Sequence, residues 1–411
     1  MRKLRNILLI VVTVLVMCGP GLIAAAEKAD VRLPVWMTAE DARYLSGGIA
    51  NPKLAQHLNL KGFTGKTLQT ALSDEVEDHI PFKASVMLGN SALQRVGIEV
   101  ANVGFGWPAY PTHYGSSIFY VPSMDVVYRG PQGISDEHNR TLCQFVSNLR
   151  GFAERHPDKR FFIYFIYSEV DPAGTFDSSL KNDIMNPTAR MQMVAEEVEG
   201  VQNLTLLTHV YPTQESLYED FFKTDHHWNW RGAMRAYGII ADAAGLAPAP
   251  ECEGVEVEGP RFVGSLSREG LMEVDEPISD SGIDFSNLQV LMNDGSLESY
   301  SHDKYEKSNE RYKRYGFYGS YYDFLTDADT IYGPGEGNSL VLTSSHGSAI
   351  LPLIAENYAE THVSQQFRDS LTDPDARLES MLEQTGAQDI YIISKPVSYQ
   401  HSIDLCPDFF E

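Results

Sequence analysis

Two short stretches of this chain hold the residue types that acyl transfer requires. Thr224-Asp225-His226-His227-Trp228-Asn229-Trp230 places a carboxylate beside two imidazoles, and Thr343-Ser344-Ser345-His346-Gly347 supplies hydroxyls much later in the sequence. A serine hydroxyl is a poor nucleophile until a base takes its proton, and a carboxylate orients that base. Ser345 sits where an apolar run, Ser339 to Thr343, meets a helical stretch expected over Ser348 to Tyr358. Gly347 follows two residues after Ser345, while Thr343 rather than glycine stands two before it, so half of a nucleophile elbow is present. The expected helix would offer N–H groups to a developing oxyanion. Ser344, Ser345 and Ser348 equally suit the capping of that helix.

Neighbours on an extended segment face opposite ways, so the offset of two makes His227 the natural partner of Asp225. His226 then turns toward solvent or substrate. Two histidines and an aspartate can also bind zinc, but adjacent histidines diverge and no His-x-x-x-His or Cys-x-x-Cys spacing supports them. No metal and no cofactor is expected. Trp228 and Trp230 are half of the four tryptophans. Core packing accounts for at least one of them, and an exposed indole face would suit the apolar face of a sugar. Gly319 and Ser320, within a Tyr-rich stretch, are candidate cleft donors, and Arg368 is a candidate anion binder or a surface ion-pair partner.

The elements that must position these residues alternate between helix and strand. Asn139 to His156 reads as a helix with Leu142, Phe145, Leu149 and Phe152 on one side. Arg160 to Ile166 is a continuous apolar run, the mark of a strand buried on both faces. A helix over Met191 to Gly200, a strand over Leu204 to Val210, and a helix with Met234, Tyr237 and Ile240 inward follow. Strands over Ser339–Thr343 and Asp389–Ile393 complete the pattern, with a short one near Val363 and a helix over Leu378 to Gln384. This is the signature of an α/β protein with a mainly parallel sheet. Residues 246–335 are rich in Gly, Pro, Ser, Asp and Tyr and read as a mostly β insertion. Thr67 to Ile80 reads as an amphipathic helix, and short strands are expected at Ile118–Val121 and Asp125–Tyr128.

A length of 411 residues with 43% hydrophobic and 21% charged residues fits a globular protein with an ample core. The net charge of -24 excludes unassisted binding to nucleic acid and disfavours polyanionic substrates. Arg2, Lys3 and Arg5, the apolar run Ile7 to Met17, and Ala24-Ala25-Ala26 form an export signal, so the folded part is expected outside the cytoplasm. Left uncut, residues 1–26 would act as an N-terminal membrane anchor. Of the cysteines beyond it, Cys252 and Cys406 are a possible disulfide pair.

The Asp225-His226-His227-Trp228 string resembles the motif that gives the DHHW family its name, and that family is similar to the SGNH-hydrolase-like alginate O-acetyltransferases. Pro81-Phe82-Lys83, Phe262-Val263-Gly264-Ser265-Leu266-Ser267-Arg268 and Tyr315-Gly316-Phe317-Tyr318-Gly319-Ser320 extend the resemblance along the chain. It implies a three-layer α/β/α sandwich with Ser345 as nucleophile, His227 as base and Asp225 as its orienting acid. It also implies acetyl transfer to or from a cell-surface or exported polysaccharide, often with a membrane-bound O-acyltransferase as acetyl donor. The family usually places Asp directly before the serine, and Ser344 stands there instead.

The expected organisation is therefore a leader over 1–26, a helical lead-in over 27–105 and an SGNH-like domain over 106–411 that carries the insertion. The expected activity is that of a serine-dependent O-acetyltransferase or acetylesterase. The alternatives are a non-catalytic glycan-binding or assembly subunit that uses Trp228 and Trp230, and a metal-dependent hydrolase.

Overall fold

The computed structural model describes residues 18–29, 31–38, 79–130, 136–166, 187–257, 262–292, 294–300, 328–364 and 374–395, with isolated positions at 45, 69, 70, 73 and 77. The apolar run before Cys18 and most of the helix expected over Thr67 to Ile80 lie outside these residues. The chain divides into two compact units, Met1–Arg129 with Ser265–Val274, and Gly130–Gly264 with Asp275–Glu411.

The smaller unit is built on helix α1 (Lys83–Phe105), which ends at Gly106 in the left-handed conformation with its N–H returned to Asn102 O. Strands β1 (Tyr110–Pro111), β2 (Ile118–Val121) and β3 (Val126–Arg129) form an antiparallel sheet of their own. The two strands expected near residue 120 therefore pair with each other, Val121 opposite Val126. A tight turn through Asp125 at φ 55 forces that antiparallel return. Ile118 and Val127 bury against Leu266 of a short helix, Ser265–Glu269.

The larger unit is α/β. Its helices are α2 (Asp136–Arg155), α3 (Pro187–Val198), α4 (Gln214–Asp220), α5 (Trp230–Ala244), α6 (Leu351–Ala355) and α7 (Pro374–Thr385). Its strands are β4 (Arg160–Ile166), β5 (Leu204–His209), β8 (Gln289–Met292), β9 (Leu297–Ser299), β10 (Ala328–Tyr332), β11 (Asn338–Thr343), β12 (Glu360–Ser364) and β13 (Asp389–Ser394), with a small separate ribbon of β6 (Val255–Glu256) and β7 (Ser279–Asp280). The main sheet runs β5-β4-β13-β11-β12-β10-β8-β9. The first five strands are parallel, and β10, β8 and β9 add an antiparallel edge.

Strand alternation sends successive side chains to opposite faces. Phe161, Ile163, Phe165, Leu340, Leu342, Ile390 and Ile392 pack on one face with Leu142, Leu149 and Phe152 of α2, Val194 of α3 and Leu378 and Leu382 of α7. Phe162, Tyr164, Val341, Tyr391 and Ile393 pack on the other with Tyr237 and Ile240 of α5 and Ile350 to Ala355. Helices thus cover both faces, as the near-continuous apolar character of β4, β11 and β13 requires. Strands β8 to β10 lengthen this sheet. Burial of β11 is complete from Ser339 onward, so the end of that strand is a rigid platform.

The helix expected over Ser348 to Tyr358 is divided. A 3₁₀ turn spans Ser345–Ala349 and α6 covers only Leu351–Ala355. Pro352 has no N–H to return to the preceding turn, which favours a fresh helical start there. Cys252 is a free thiol, while Cys406 lies outside the described residues. Among the described residues no helix is long and apolar enough to cross a membrane.

Candidate active site

Ser345 leaves the carboxyl end of β11, where Thr343 pairs in register with Ile393 of β13. The Thr343 hydroxyl donates to the Ile393 carbonyl at 2.9 Å and closes the strand end. The backbone then turns sharply, with Gly347 N–H donating to Ser344 O at 2.9 Å. A Cβ at position 347 would overlap the Thr343 side chain, so this turn needs glycine. Ser345 ends up half-buried at the carboxyl edge of a parallel sheet, the edge where α/β folds place their sites.

Asp225 and His227 ride on a loop that is pinned at both ends. Phe221 bridges Trp228, Phe222 N–H donates to His227 O at 3.2 Å, and Asn229 N–H donates to Asp220 O at 2.8 Å. Beyond it, the Asn229 side chain caps α5 by accepting from Arg231 and Gly232 N–H. Asp220 is itself held by Arg235 and by the Tyr211 hydroxyl. Glu276 supports the loop from beneath. Its carboxyl accepts from Thr224 N–H at 2.8 Å, Thr224 Oγ1 at 2.6 Å and Lys223 N–H at 3.0 Å. Gly264 N–H donates to Thr224 Oγ1 at 3.0 Å, and a Cβ on Gly264 would collide with the Thr224 carbonyl.

These supports bring the two sequence stretches together. His227 Nδ1 lies 2.6 Å from Asp225 Oδ1, and His227 Nε2 lies 2.8 Å from Ser345 Oγ. The same Asp225 oxygen accepts from His227 N–H at 3.0 Å. An ionised carboxylate can only accept, so His227 carries its proton on Nδ1 and presents Nε2 as acceptor to the Ser345 hydroxyl. Burial holds the His227 imidazole below its usual range, Asp225 opposes that shift, and Lys395 adds to it. The ring is accordingly neutral near pH 7, with its base form available.

His226 is 41% exposed at its side chain, and its ring leans over His227 at a centroid distance of 4.0 Å, so the two adjacent histidines do not diverge as expected. Its Nδ1 reaches to 3.4 Å from Asp225 Oδ1. Trp228 needs correction. Its indole is 1% exposed, wedged near Tyr164 and His346, so it fills the core and no sugar can stack on it. Trp230 is partly buried, donates to Ser279 Oγ at 2.9 Å, packs on Gly254 and lies under the Arg231 guanidinium. Its contacts pin the β6–β7 ribbon to α5 rather than line the Ser345 cluster. Gly319, Ser320 and Arg368 lie outside the described residues.

Two members of the cluster were not assigned from sequence. His346 is buried and packs against His227, its ring tilted by 36° at 4.3 Å between centroids. Lys395, just beyond β13, donates to His226 O at 2.9 Å. The only sequence signal for either is position: one follows the serine, the other follows a buried strand that neighbours β11.

His226, His227 and His346 bring ring nitrogens within 4.8 Å of one another, a grouping that invites a metal reading. His227 has both ring nitrogens engaged with Asp225 and Ser345, and His346 has both engaged with Ser344 and His226 O. The geometry fits a hydrogen-bond relay better than a metal centre.

No protein-family model matches the sequence. No curated protein matches it either. Among solved structures, PatB1 of Bacillus cereus with a sulfonyl adduct is similar, at a TM-score of 0.50 and 15% identity, over 69% of this chain and 95% of that one. This match shows a shared fold. Similar structures also include a DHHW family protein from Eubacterium siraeum, at a TM-score of 0.48 and 15% identity over 69% of this chain and 92% of that one. The O-acetyltransferase domain of Pseudomonas putida AlgJ is a more distant likeness, at a TM-score of 0.34 and 10% identity over 65% and 86% of the two chains.

Proposed function

We propose that this chain is an extracytoplasmic serine-dependent O-acetyltransferase or acetylesterase that acts on a polysaccharide. The observation that carries the proposal is the unbroken hydrogen-bond chain from Asp225 through His227 to Ser345, at 2.6 and 2.8 Å. Those three groups, in that order and at those distances, are the working parts of an acyl-transfer triad. Export of the folded part, read from the leader sequence, agrees with a substrate outside the cytoplasm. The resemblance of the Asp225-His226-His227-Trp228 string to the DHHW family supports acetyl as the group transferred.

The chemistry follows from the proton positions. Ser345 Oγ attacks the acetyl carbonyl while His227 Nε2 takes the hydroxyl proton, and Asp225 stabilises the imidazolium so formed. Collapse of the tetrahedral intermediate breaks the bond to the leaving group, which departs with the proton from His227. A sugar hydroxyl or water then attacks the acetyl-Ser345 ester, giving its proton to His227, and collapse breaks the bond to Ser345 Oγ, which takes that proton back. A membrane-bound O-acyltransferase is the proposed source of acetyl groups, and the net charge of -24 favours a polymer that is not strongly anionic.

The reading of a glycan-binding subunit without catalysis loses one of its two tryptophans, because Trp228 is in the core. Intact-mass measurement after exposure to p-nitrophenyl acetate, and separately to a sulfonyl fluoride, tests the proposal. A single acetyl or sulfonyl adduct on Ser345, absent from Ser345→Ala, is expected. Wild-type protein that takes up neither label and turns over no ester would refute it.

A further inference from the structure

We propose that His346 is a positioning residue for this reaction: its imidazole N–H, together with Lys395, clamps the His226 carbonyl and so holds the loop bearing Asp225 and His227 against the turn bearing Ser345. The inference rests on the triad reading above. A carbonyl oxygen cannot donate, so the 3.2 Å contact between His346 Nε2 and His226 O requires the proton on Nε2. His346 Nδ1 is then an acceptor, and the Ser344 hydroxyl at 3.3 Å is the donor to it. The tautomer is therefore set from both sides of the ring. Lys395 Nζ donates to the same His226 oxygen at 2.9 Å. Two donors from different elements thus converge on the peptide that joins His226 to His227, one from the residue after the nucleophile and one from beyond β13.

The groups facing His346 are His227, His226, Lys395 and the Ser344 hydroxyl. Burial above all, then the positive or protonatable neighbours, holds its imidazole well below the usual range, so it stays uncharged. That neutrality matters to its neighbour. His227 becomes an imidazolium when it takes the Ser345 proton, and a second cation packed against it at 4.3 Å would oppose that step. Ser344 suits the arrangement because a hydroxyl supplies a proton to Nδ1 without adding charge.

Steady-state ester hydrolysis by the full chain separates this role from a merely structural one. His346→Phe keeps a ring of similar size and loses the donor, while His346→Gln keeps an N–H donor. The expected result is a fall in kcat of roughly tenfold to a hundredfold for His346→Phe, the scale of a displacement near 1 Å, with KM within about threefold. His346→Gln should recover most of the loss. A His346→Phe enzyme within about twofold of wild-type kcat, alongside an inactive Ser345→Ala, overturns this inference and spares the triad. An active Ser345→Ala overturns the triad reading itself. Nitrogen NMR of the wild-type histidines supplies a test free of folding artefacts: a neutral Nε2–H tautomer is expected for His346 at neutral pH, and a neutral Nδ1–H form would sink the clamp.

Discussion

Glu276 offers the sharpest quantitative test, because the loop that carries Asp225 and His227 rests on it. Burial pushes its carboxyl up from the usual value near 4.5 to about 7, despite hydrogen bonds from Thr224 and Lys223 that favour the ionised form; Asp225 adds to the rise. A carboxyl whose folded value is raised binds its proton more tightly when folded than when unfolded. Its stabilising contribution is complete below about 4.5, declines as the pH climbs, and is gone above about 7. At roughly 1.4 kcal/mol per pH unit, the full decline is about 3 kcal/mol, most of it between pH 5 and pH 8. Glu276→Gln keeps an oxygen acceptor for the two Thr224 donors, turns an amide NH2 toward the Lys223 N–H at a cost that does not vary with pH, and removes the titration. Urea unfolding of both proteins, followed by tryptophan fluorescence at pH 5, 6, 7 and 8, reads the difference. The stability gap should move by roughly 2 to 3 kcal/mol in favour of the glutamine variant as the pH rises across that range. Parallel stability profiles for the two proteins would refute the reasoning and leave Glu276 as an ordinary ionised support.

Three further outcomes follow from the site. Asp225→Asn removes the carboxylate charge and offers an amide NH2 to the His227 Nδ1 now held at 2.6 Å, favouring the wrong tautomer, so kcat for ester turnover should fall by about 10³ to 10⁴ with little change in KM. Because burial holds the His227 imidazole below its ordinary value of 6.5, it should remain an unprotonated base down to that pH. The acidic limb of kcat/KM should therefore lie below 6.5, measured on wild-type enzyme across pH 5 to 8, and a limb above it would contradict the buried geometry. Trp228→Ala should cost about 3 to 5 kcal/mol in unfolding experiments because it empties a fully buried indole site, whereas Trp230→Ala should cost less.

The architecture was readable where one physical pattern dominates. The continuous apolar runs of β4, β11 and β13 announce strands covered on both faces, and the spacing of Leu142, Phe145, Leu149 and Phe152 announces the inward face of α2. Asp225, His227 and Ser345 were legible by type as a candidate acid, base and nucleophile, and the structure brings the three within hydrogen-bond reach. Exposure was not readable: Trp228 and Trp230 are two residues apart, yet one is sealed in the core and the other packs on Gly254. Partners brought in by topology were equally hidden. His346 and Lys395 share a carbonyl only because β13 lies beside β11, and no local pattern encodes that strand order. Pro352 was visible in the sequence, but the amphipathic pattern from Ser348 onward masked the division of that helix into a 3₁₀ turn and a short α-helix.

The two glycines nearest the cluster explain why such a site can be rigid without being built from long elements. Gly347 admits the Thr343 side chain into the turn after β11, and that same hydroxyl anchors the strand end to Ile393. Gly264 admits the Thr224 carbonyl, and its N–H joins Glu276 in holding the Thr224 side chain. Each stretch of chemistry is thus fastened through a threonine one or two residues before its first working side chain, Thr343 before Ser345 and Thr224 before Asp225. Each threonine is fully or almost fully buried, and each is approached by backbone that a Cβ would exclude. A backbone bound that closely has few alternative conformations to lose or adopt, so the orientation of Asp225 and Ser345 is settled before substrate arrives. Pre-set orientation is what the His227 bridge needs, since a single imidazole must satisfy an acid and an alcohol at once with no slack at either nitrogen.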